Sequence, residues 1–365
     1  MLTSLQFLRG FAALMVVLIH SAAVVRDQAG YVFSSTVIGA SAADIFFVIS
    51  GFIMVYITHE RPATPWNFLA RRLIRIAPLY WFYTTISIAL LLIVPNWFRQ
   101  LRFDLSHTIY SYLFLLSPNN TGTLGTVLGV GWTVAYEAYF YFLFGLCLFL
   151  PKNLPLPALS TVIVLGAILE HYVTVPVFAL VAFNAVPLEF LAGCLLAVLY
   201  LRGHYLSGAL SLAAIALGIV WILWFGIANA VTFFWEPLRV IYFGVPATLI
   251  VAGALSLEVR GLVRFPRLII LIGDSSYSLY LSHAFVLITI GLFWKALGLR
   301  DVLPAEVLYY GATAVAVCIG IFLYRFSEKP LTDWLNHSFA QYEKREAHER
   351  AGVHRRVYRS RTDGV

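Results

Sequence analysis

The sequence predicts an all-α integral membrane protein, a single bundle of about ten transmembrane helices. The first observation is composition: 61% of the residues are hydrophobic and only 12% are charged, whereas soluble domains are roughly half apolar and about a quarter charged. The second is the recurrence of apolar segments near the length that crosses a bilayer. The third is the uneven distribution of Lys and Arg between alternate loops, which indicates orientation.

The apolar segments follow one another along the whole chain. Those long enough to span a bilayer lie at 5–25, 36–58, 77–95, 131–150, 157–171, 176–201, 206–226, 237–257, 268–290 and 305–326. A further segment, 107–117, is too short to cross and is predicted to be interfacial or re-entrant. The resulting even number of spans places both termini on the same side of the membrane.

Loop charges predict that this side is the cytoplasm. With an inside amino terminus, the inside loops and the tail, together with Arg325 at the inner end of the last span, carry eighteen of the 25 Lys and Arg residues, and the outside loops carry five. Cytoplasmic loops are typically enriched in these residues. The net charge of +7 therefore indicates orientation, and we expect no nucleic-acid partner.

One membrane domain is predicted at 1–335, because Pro and Gly fall at span ends and no repeat divides the chain. Residues 336–365 are charged and rich in Arg, which predicts a disordered basic cytoplasmic tail attracted to anionic membrane lipids. The three cysteines lie singly in apolar runs, so neither a disulfide framework nor a metal site is indicated.

The first span contains two residues that are costly in hydrocarbon. FLRGFAALMVVLIH carries Arg9 and His20, whose spacing puts them on one helix face, about 16 Å apart along the axis. A charge at this depth costs on the order of 3 kcal/mol and usually faces a protein interior or a wet cavity. The alternative is a secretory signal peptide, since SAA follows the apolar run. No Lys or Arg precedes Arg9, which weakens that alternative.

A second cationic group lies at the predicted inner end of the third span, in RRLIRIAPLYW. Arg72 and Arg75 are three residues apart and share a helix face, and Arg71 beside them is predicted to complete a compact cationic site. Guanidinium groups match phosphate oxygens bidentately. Such clusters more often anchor a span at the inner surface, and spacing alone favours that interpretation.

Other spans also contain ionisable residues in apolar sequence: Asp44, Glu137, Glu189, Asp274 and His283. Asp44, Glu137 and His283 lie at about the depth of His20 and are predicted to form one cluster with it. A carboxylate beside an imidazole orients the ring and raises its basicity. Interhelical hydrogen bonding is the alternative for each residue alone, and several at one depth favour chemistry.

The segments that contain Arg9 and His20, and Arg72 and Arg75, belong to a series of motifs that resembles a known family. FLRGFAALMVVLIH is similar to a basic residue, ten intervening residues and His in the acyltransferase family 3, whose members are integral-membrane O-acyltransferases of bacterial surface and exported carbohydrates. DIFFVISGFIM resembles the second-span signature of that family, with Asp44, Ser50 and Gly51 in place. RLIR is similar to its Arg-x-x-Arg.

The later motifs follow in the same order. GWTVAYEAYFY resembles the Trp-Ser/Thr-…-Glu-…-Tyr segment of the family, with Trp132 and Glu137 in place. SSYSLYLSHAFV is similar to its late Tyr-Leu-x-His motif, with His283, and SEKP resembles its usual end. The resemblance extends from the first span to Pro330.

The resemblance implies an acyl-CoA donor on the cytoplasmic side, expected to be acetyl-CoA, and an acceptor hydroxyl on a sugar of an exported or lipid-linked polysaccharide. It implies a multi-pass protein of the bacterial inner membrane. Some members carry an extracellular esterase domain that completes the transfer. This chain ends about 35 residues after Pro330, so we expect its membrane domain to complete the transfer itself.

Chemistry and resemblance together predict the roles of nine residues. The expected catalytic residues are His20, Glu137 and Asp44. The expected donor contacts are Arg9, Arg72 and Arg75. The expected supporting residues are Ser50, Trp132 and His283. Imidazole is the usual base for a weakly acidic hydroxyl, so His20 is the predicted base, and a covalent acyl-enzyme on His20 or Ser50 is the competing mechanism.

Two other functions fit a membrane bundle with buried charges. A polysaccharide or lipid-linked oligosaccharide transporter without chemistry is one, although transporters often have broken helices in two matching halves, and no such symmetry is evident. The other is an acyltransferase acting on a lipid or peptidoglycan. The acceptor sugar and its hydroxyl are not specified by sequence.

Overall fold

The structure, a computed structural model, describes residues 2–32, 38–60, 64–95, 101–170, 172–173, 176, 179–228 and 238–362. Its helices are α1 (Thr3–Ala29), α2 (Ala42–Glu60), α3 (Pro65–Ile93), α4 (Leu105–Tyr112), α5 (Trp132–Cys147), α6 (Pro155–Leu169), α7 (Pro187–Leu201), α8 (Gly208–Ala228), α9 (Val245–Val259), α10 (Arg267–Asp274), α11 (Ser276–Ala296), α12 (Ala305–Leu323) and α13 (Lys329–Thr362). The strands β1 (Ser117–Pro118) and β2 (Leu124–Gly125) form one antiparallel pair. The all-α class is confirmed.

A helix lies in each of the segments predicted to span. Within the described residues, seven helical stretches are long and apolar enough to cross a membrane. The helices α5, α6 and α7 have 16, 15 and 15 residues, which is about 23 Å and less than the roughly 30 Å of hydrocarbon. Ten crossings and cytoplasmic termini therefore stay predictions. The predicted starts at 36 and 237 and the predicted end at 171 lie outside the described residues.

Two predicted spans differ in detail from the structure. The segment 268–290 is broken into α10 and α11 at Ser275, whose hydroxyl donates to the carbonyl of Leu271. The helix in 176–201 begins only at Pro187, since Pro lacks an N–H and suits the first turn of a helix.

The short segment 107–117 overlaps the end of α4, whose eight residues are too few to cross a bilayer. Asp104 precedes α4, and its carboxylate accepts the backbone N–H of His107 at 2.6 Å. This hydrogen bond to the charged form holds the pKa of Asp104 below its usual value. The short length and the cap agree with the predicted non-spanning helix.

The carboxyl-terminal tail is helical over the residues that the structure describes, up to Thr362, whereas disorder was expected. A π-helical turn at Tyr324–Glu328 leads directly into α13, and Arg71 of α3 donates to Glu343 of α13 at 2.9 Å. Glu, Lys, Arg and Ala are all good helix formers, so charged composition alone does not oppose a helix. The division at residues 335 and 336 stays a prediction.

The helix α2 is packed against α1, α7 and α9. It approaches α7 most closely at two glycines. A Cβ on Gly51 would lie 1.9 Å from the Phe190 carbonyl oxygen, and a Cβ on Gly193 would lie 1.9 Å from that of Val48. Small residues permit such close approach of helix backbones. The contact fixes the rotation of α2 and so the face on which Ser50 lies.

The beginning of α1 is held by the end of α9. Glu258 accepts hydrogen bonds from the backbone N–H groups of Thr3 and Ser4, at 2.7 and 3.0 Å, and from both hydroxyls. The first N–H groups of a helix have no partner within it. A side chain 254 residues away from Ser4 therefore caps the first turn.

Candidate active site

A cavity follows one face of α2 over most of its length. Its lining on this helix comprises Ala43, Phe46, Phe47, Ile49, Ser50, Ile53, Met54 and Ile57. Ala43 and Ile57 are about 21 Å apart along the axis. The cavity contains about 950 Å³ not filled by protein atoms, part of it open to solvent. We call its end at Ile57, where α2 leads towards α3, the inner end, and its end at Ala43 the outer end.

Three guanidinium groups from two other helices line this cavity. Arg9 comes from α1, and Arg72 and Arg75 come from α3. The carboxylate that shares the cavity with them is Glu137 of α5. Three cations and one carboxylate leave the described lining with an excess of positive charge, which suits an anionic ligand.

Arg75 is compensated by a buried carboxylate. It donates to Glu328, whose side chain is 2% exposed. Glu328 also accepts the backbone N–H of Ser278 at 3.0 Å and the hydroxyl of the same residue at 2.6 Å. The guanidinium carbon of Arg75 lies 5.2 Å from the centre of the Tyr277 ring. These contacts join α3, α11 and the π-helical turn before α13, so Arg75 has a structural role whatever it binds.

Arg72 has a different environment. Its guanidinium carbon lies 5.6 Å from the ring centre of Phe68 and 5.8 Å from that of Tyr141, distances at which a cation is attracted to an aromatic face. Among the described residues it forms no salt bridge, and its buried Nε has no hydrogen-bond partner. The charge of Arg72 is therefore available to a ligand.

The middle of the cavity contains Glu137 and Arg9. Glu137 accepts hydrogen bonds from the hydroxyls of Ser50, at 3.2 Å, and Tyr141. Arg9 donates to the hydroxyl of Ser276 at 2.9 Å and to the side chain of Gln6 at 3.3 Å. These neutral partners orient the two charged groups without neutralising them.

The two histidines lie together, beside the cavity. The ring centres of His20 and His283 are 4.8 Å apart, and Tyr280, which lines the cavity, is 5.9 Å from His283. Each histidine Nδ1 contacts a backbone carbonyl oxygen, that of Val16 at 2.8 Å and that of Leu279 at 3.1 Å. A carbonyl only accepts, so we assign the proton to Nδ1 in both rings. Both Nε2 atoms are then unprotonated and able to act as bases.

Asp44 lies in a third place, sealed from the cavity. It accepts a hydrogen bond from Arg239 at 2.6 Å, and the two side chains are 0% and 1% exposed. Glu189 is beside them and 1% exposed. The guanidinium carbon of Arg239 lies 5.6 Å from the ring centre of Trp132. This group ties α2 to the segment that leads into α9.

Comparison with known proteins decides the family. A family model described as "Acyltransferase domain" matches residues 2–325. The chain belongs to acyltransferase family 3. The acyltransferase is also similar to the exopolysaccharide production protein ExoZ of Rhizobium meliloti (strain 1021), with 34% identity over 296 residues that cover 80% of this chain and 90% of that one. No solved structure matches it.

In this acyltransferase, the residues predicted from sequence to form one cluster lie in three separate groups. His20 pairs with His283, Glu137 lies in the cavity, and Asp44 pairs with Arg239. Depth along each helix was estimated from sequence, but the rotation of each helix about its axis was not, and rotation decides which side chains meet. The predicted association of Arg9, Arg72 and Arg75 in one site does occur.

One member of the predicted cationic site lies elsewhere. Arg71 is not part of the cavity lining and contacts Glu343 on α13. It is one residue before Arg72, and a step of about 100° around the helix turns it to another face.

Sequence reasoning did not identify several residues of the acyltransferase site. Glu328, Tyr141 and Tyr280 are the most prominent, and Gln6 also contacts Arg9. Glu328 lies in the SEKP motif, which indicated only the end of the membrane domain. Tyr280 is the Tyr of the Tyr-Leu-x-His motif, and Tyr141 ends the segment GWTVAYEAYFY. Neither was given a role, because aromatic residues are common in membrane spans.

Proposed function

We propose that the protein transfers an acyl group, in the first instance acetyl, from cytoplasmic acyl-CoA to a sugar hydroxyl of an exported or lipid-linked polysaccharide at the bacterial inner membrane. The observation that carries the proposal is the long cavity with three guanidinium groups and one carboxylate. The name of the relative, an exopolysaccharide production protein, supports the acceptor class.

The donor is proposed to enter at the inner end. Arg72, which has no salt bridge among the described residues, is the first candidate for the CoA phosphates, with Arg75 next to it. The pantetheine arm then extends along α2 towards Ser50 and the outer end. Arg9 lies in its path, where a guanidinium group can polarise the thioester carbonyl.

His20 is the proposed base for the transfer. Its Nε2 takes the proton of the acceptor hydroxyl as the oxygen forms a bond to the acyl carbon. The carbon–sulfur bond breaks, and the CoA thiolate leaves as the thiol with a proton that balances the one His20 accepted and then releases, so that the base is restored. Glu137 is proposed to stabilise the reacting centre from the cavity, and His283 and Ser50 to support it. Because Tyr280 lines the cavity and its ring centre is 5.9 Å from that of His283, we propose that the acceptor approaches from the side of the histidines.

Labelled acetyl-CoA tests the proposal with membranes that contain the protein. Incorporation of label into a polysaccharide fraction is expected, and incorporation into lipid or peptidoglycan alone would name another acceptor. A protein that transports glycan without transferring label would contradict the proposed activity.

The variant His20→Ala tests the base. It should lose about 10² to 10⁴ in transfer rate, the usual contribution of general acid–base catalysis, and should still bind acetyl-CoA. His204→Ala, which removes an exposed histidine, is the matched control and should transfer normally. Near-normal transfer by purified His20→Ala protein would remove His20 from the mechanism.

Kinetics distinguish direct transfer from a covalent acyl-enzyme. We expect direct transfer, in which no CoA is released until the acceptor is bound. A burst of free CoA without acceptor, with an acylated His20 or Ser50, would instead establish the covalent route.

A further inference from the structure

The outer end of the cavity differs in chemistry from the rest. Arg9, Arg72, Arg75 and Glu137 supply all the charge in the described lining, and the outermost of these, Glu137, is level with Ser50, to which it is hydrogen-bonded. Beyond Ser50 the lining consists of Ala43, Phe46, Phe47, Ile49, Thr133, Val134 and Tyr280. None of these side chains carries a charge.

The hydroxyl groups in this outer region are already satisfied by protein atoms. Thr133 donates to the hydroxyl of Tyr280 at 2.8 Å, and Tyr280 donates to the carbonyl oxygen of Val130 at 2.9 Å. A ligand at this end therefore meets mainly methyl groups and ring carbons. Such a surface favours an apolar group over a sugar or a phosphate.

The order of the lining matches the order of groups in an acyl-CoA. Positive charge lies at the inner end for the phosphates, and the 21 Å or so of α2 between Ile57 and Ala43 serves the pantetheine arm and the acyl group together. The uncharged outer region then lies where the acyl chain would end.

Building on the proposed function, we propose that Ala43, Phe46, Val134 and Tyr280 form the acyl seat, the wall that holds the acyl group and limits its length. Ala43 and Phe46 lie on the same face of α2, and Val134 and Tyr280 close the space from α5 and α11. A short acyl group fills this seat, and each additional methylene has to displace one of these side chains.

Phe46 is the residue of the seat best suited to a test. Its ring contacts that of Tyr280, with centres 6.4 Å apart, and it is only partly buried. The neighbouring Phe47 is 2% exposed and packs with its ring centre 4.8 Å from that of Phe190. Shortening Phe47 would therefore disturb the core, whereas shortening Phe46 mainly enlarges the seat.

The experiment supplies acetyl-CoA and butyryl-CoA, with different labels, in one mixture to membranes that contain the acceptor. The ratio of the two labels in the product gives the ratio of kcat/KM values and does not depend on how much enzyme is folded. In Phe46→Ala the butyryl-to-acetyl ratio should rise by about tenfold or more, since misfit of a methylene in an apolar pocket typically changes selectivity about 10- to 200-fold.

Ile57→Ala is the matched control, because it shortens a lining residue of the same helix at the inner end. Whatever it does to donor affinity, it should leave the ratio unchanged. Ala43→Val acts in the opposite direction and should lower the ratio of propionyl to acetyl transfer, which keeps the proposal testable if Phe46→Ala does not fold.

The outcomes separate the acyl seat from the function on which it rests. If the wild-type protein transfers neither label, the proposed function fails. If it transfers acetyl and the ratios in Phe46→Ala and Ala43→Val equal the wild-type ratio, the acyl seat is wrong and the function stands. A faster release of CoA without acceptor in Phe46→Ala, at an unchanged ratio, would make Phe46 a barrier to water and would also overturn the seat.

Discussion

Arg239 and Arg72 lie in similar aromatic surroundings and differ in their exposure and in whether a carboxylate pairs with them. Both stack on two aromatic rings, Arg239 on Trp132 and Phe243, and Arg72 on Phe68 and Tyr141. Arg239 is 1% exposed and bonded to a carboxylate, whereas Arg72 faces the cavity and forms no salt bridge among the described residues. Aromatic stacking therefore holds both cations, and compensation by a carboxylate distinguishes a structural arginine from one available to a ligand.

Arg75 is intermediate between these two. It lines the cavity like Arg72 and is paired with a buried carboxylate like Arg239. If compensation decides the role, variants of the three arginine sites should differ in whether they lose folded protein or donor affinity.

The largest effect is expected for Asp44→Ala. Removing one partner of a buried ion pair typically costs about 3–5 kcal/mol, because the other charge stays buried. The amount of folded protein extracted from membranes should fall sharply. For Asp44→Asn, which keeps the shape of the side chain, the amount of folded protein should fall less. Normal amounts of inactive Asp44→Ala protein would contradict the structural role and restore Asp44 as the catalytic residue that the sequence predicted.

Arg75→Ala should have a mixed effect. It leaves the Glu328 carboxylate without its cation. Since the Arg75 side chain is 30% exposed, we expect the free energy of unfolding to fall by roughly 3 kcal/mol, the lower end for a buried pair. Folded protein should decrease, and the KM for acetyl-CoA should rise in the part that remains. Glu328→Gln should reproduce the first effect; if it matched wild type in yield, the pair would contribute little to stability.

Arg72→Ala should weaken the donor without loss of protein. One charge-assisted contact is worth about 1.5 to 3 kcal/mol, so the KM for acetyl-CoA should rise roughly ten- to a hundredfold. Arg72→Lys should rescue only in part, because it lacks the planar fork. Arg71→Ala, on the adjacent face, is the control and should leave donor saturation unchanged. Equal effects of Arg71→Ala and Arg72→Ala would favour the anchor interpretation for both.

The smallest effect is expected for Glu189→Gln. Glu189 is a second buried carboxylate beside the pair of Asp44 and Arg239. Gln keeps the size of the side chain, and any charge that it removes relieves desolvation while it loses attraction to Arg239, a balance that is often nearly neutral for buried ion pairs. We expect the free energy of unfolding to change by less than about 1 kcal/mol. A loss as large as that of Asp44→Ala would mean that Arg239 needs both carboxylates.

Sequence patterns predicted the elements of the fold better than the partners within it. Length and hydropathy predicted where helices lie, since these are local properties. The shared face of Arg72 and Arg75 was also predictable, because it follows from spacing. Their different compensation was not, since Glu328 is 253 residues from Arg75 in the chain. The sequence likewise identified Asp44 but gave no signal for its pairing with Arg239.

The cap that Glu258 provides for α1 has a consequence for biogenesis. The helix α1 is synthesised before α9 and obtains partners for Thr3 and Ser4 only when α9 has been synthesised, and Arg9 meets Ser276 later still. The order of insertion therefore differs from the order in which helices become stable. A nascent chain stopped before Glu258 should have an α1 whose amino-terminal amides exchange hydrogen rapidly, and synthesis of α9 should protect them.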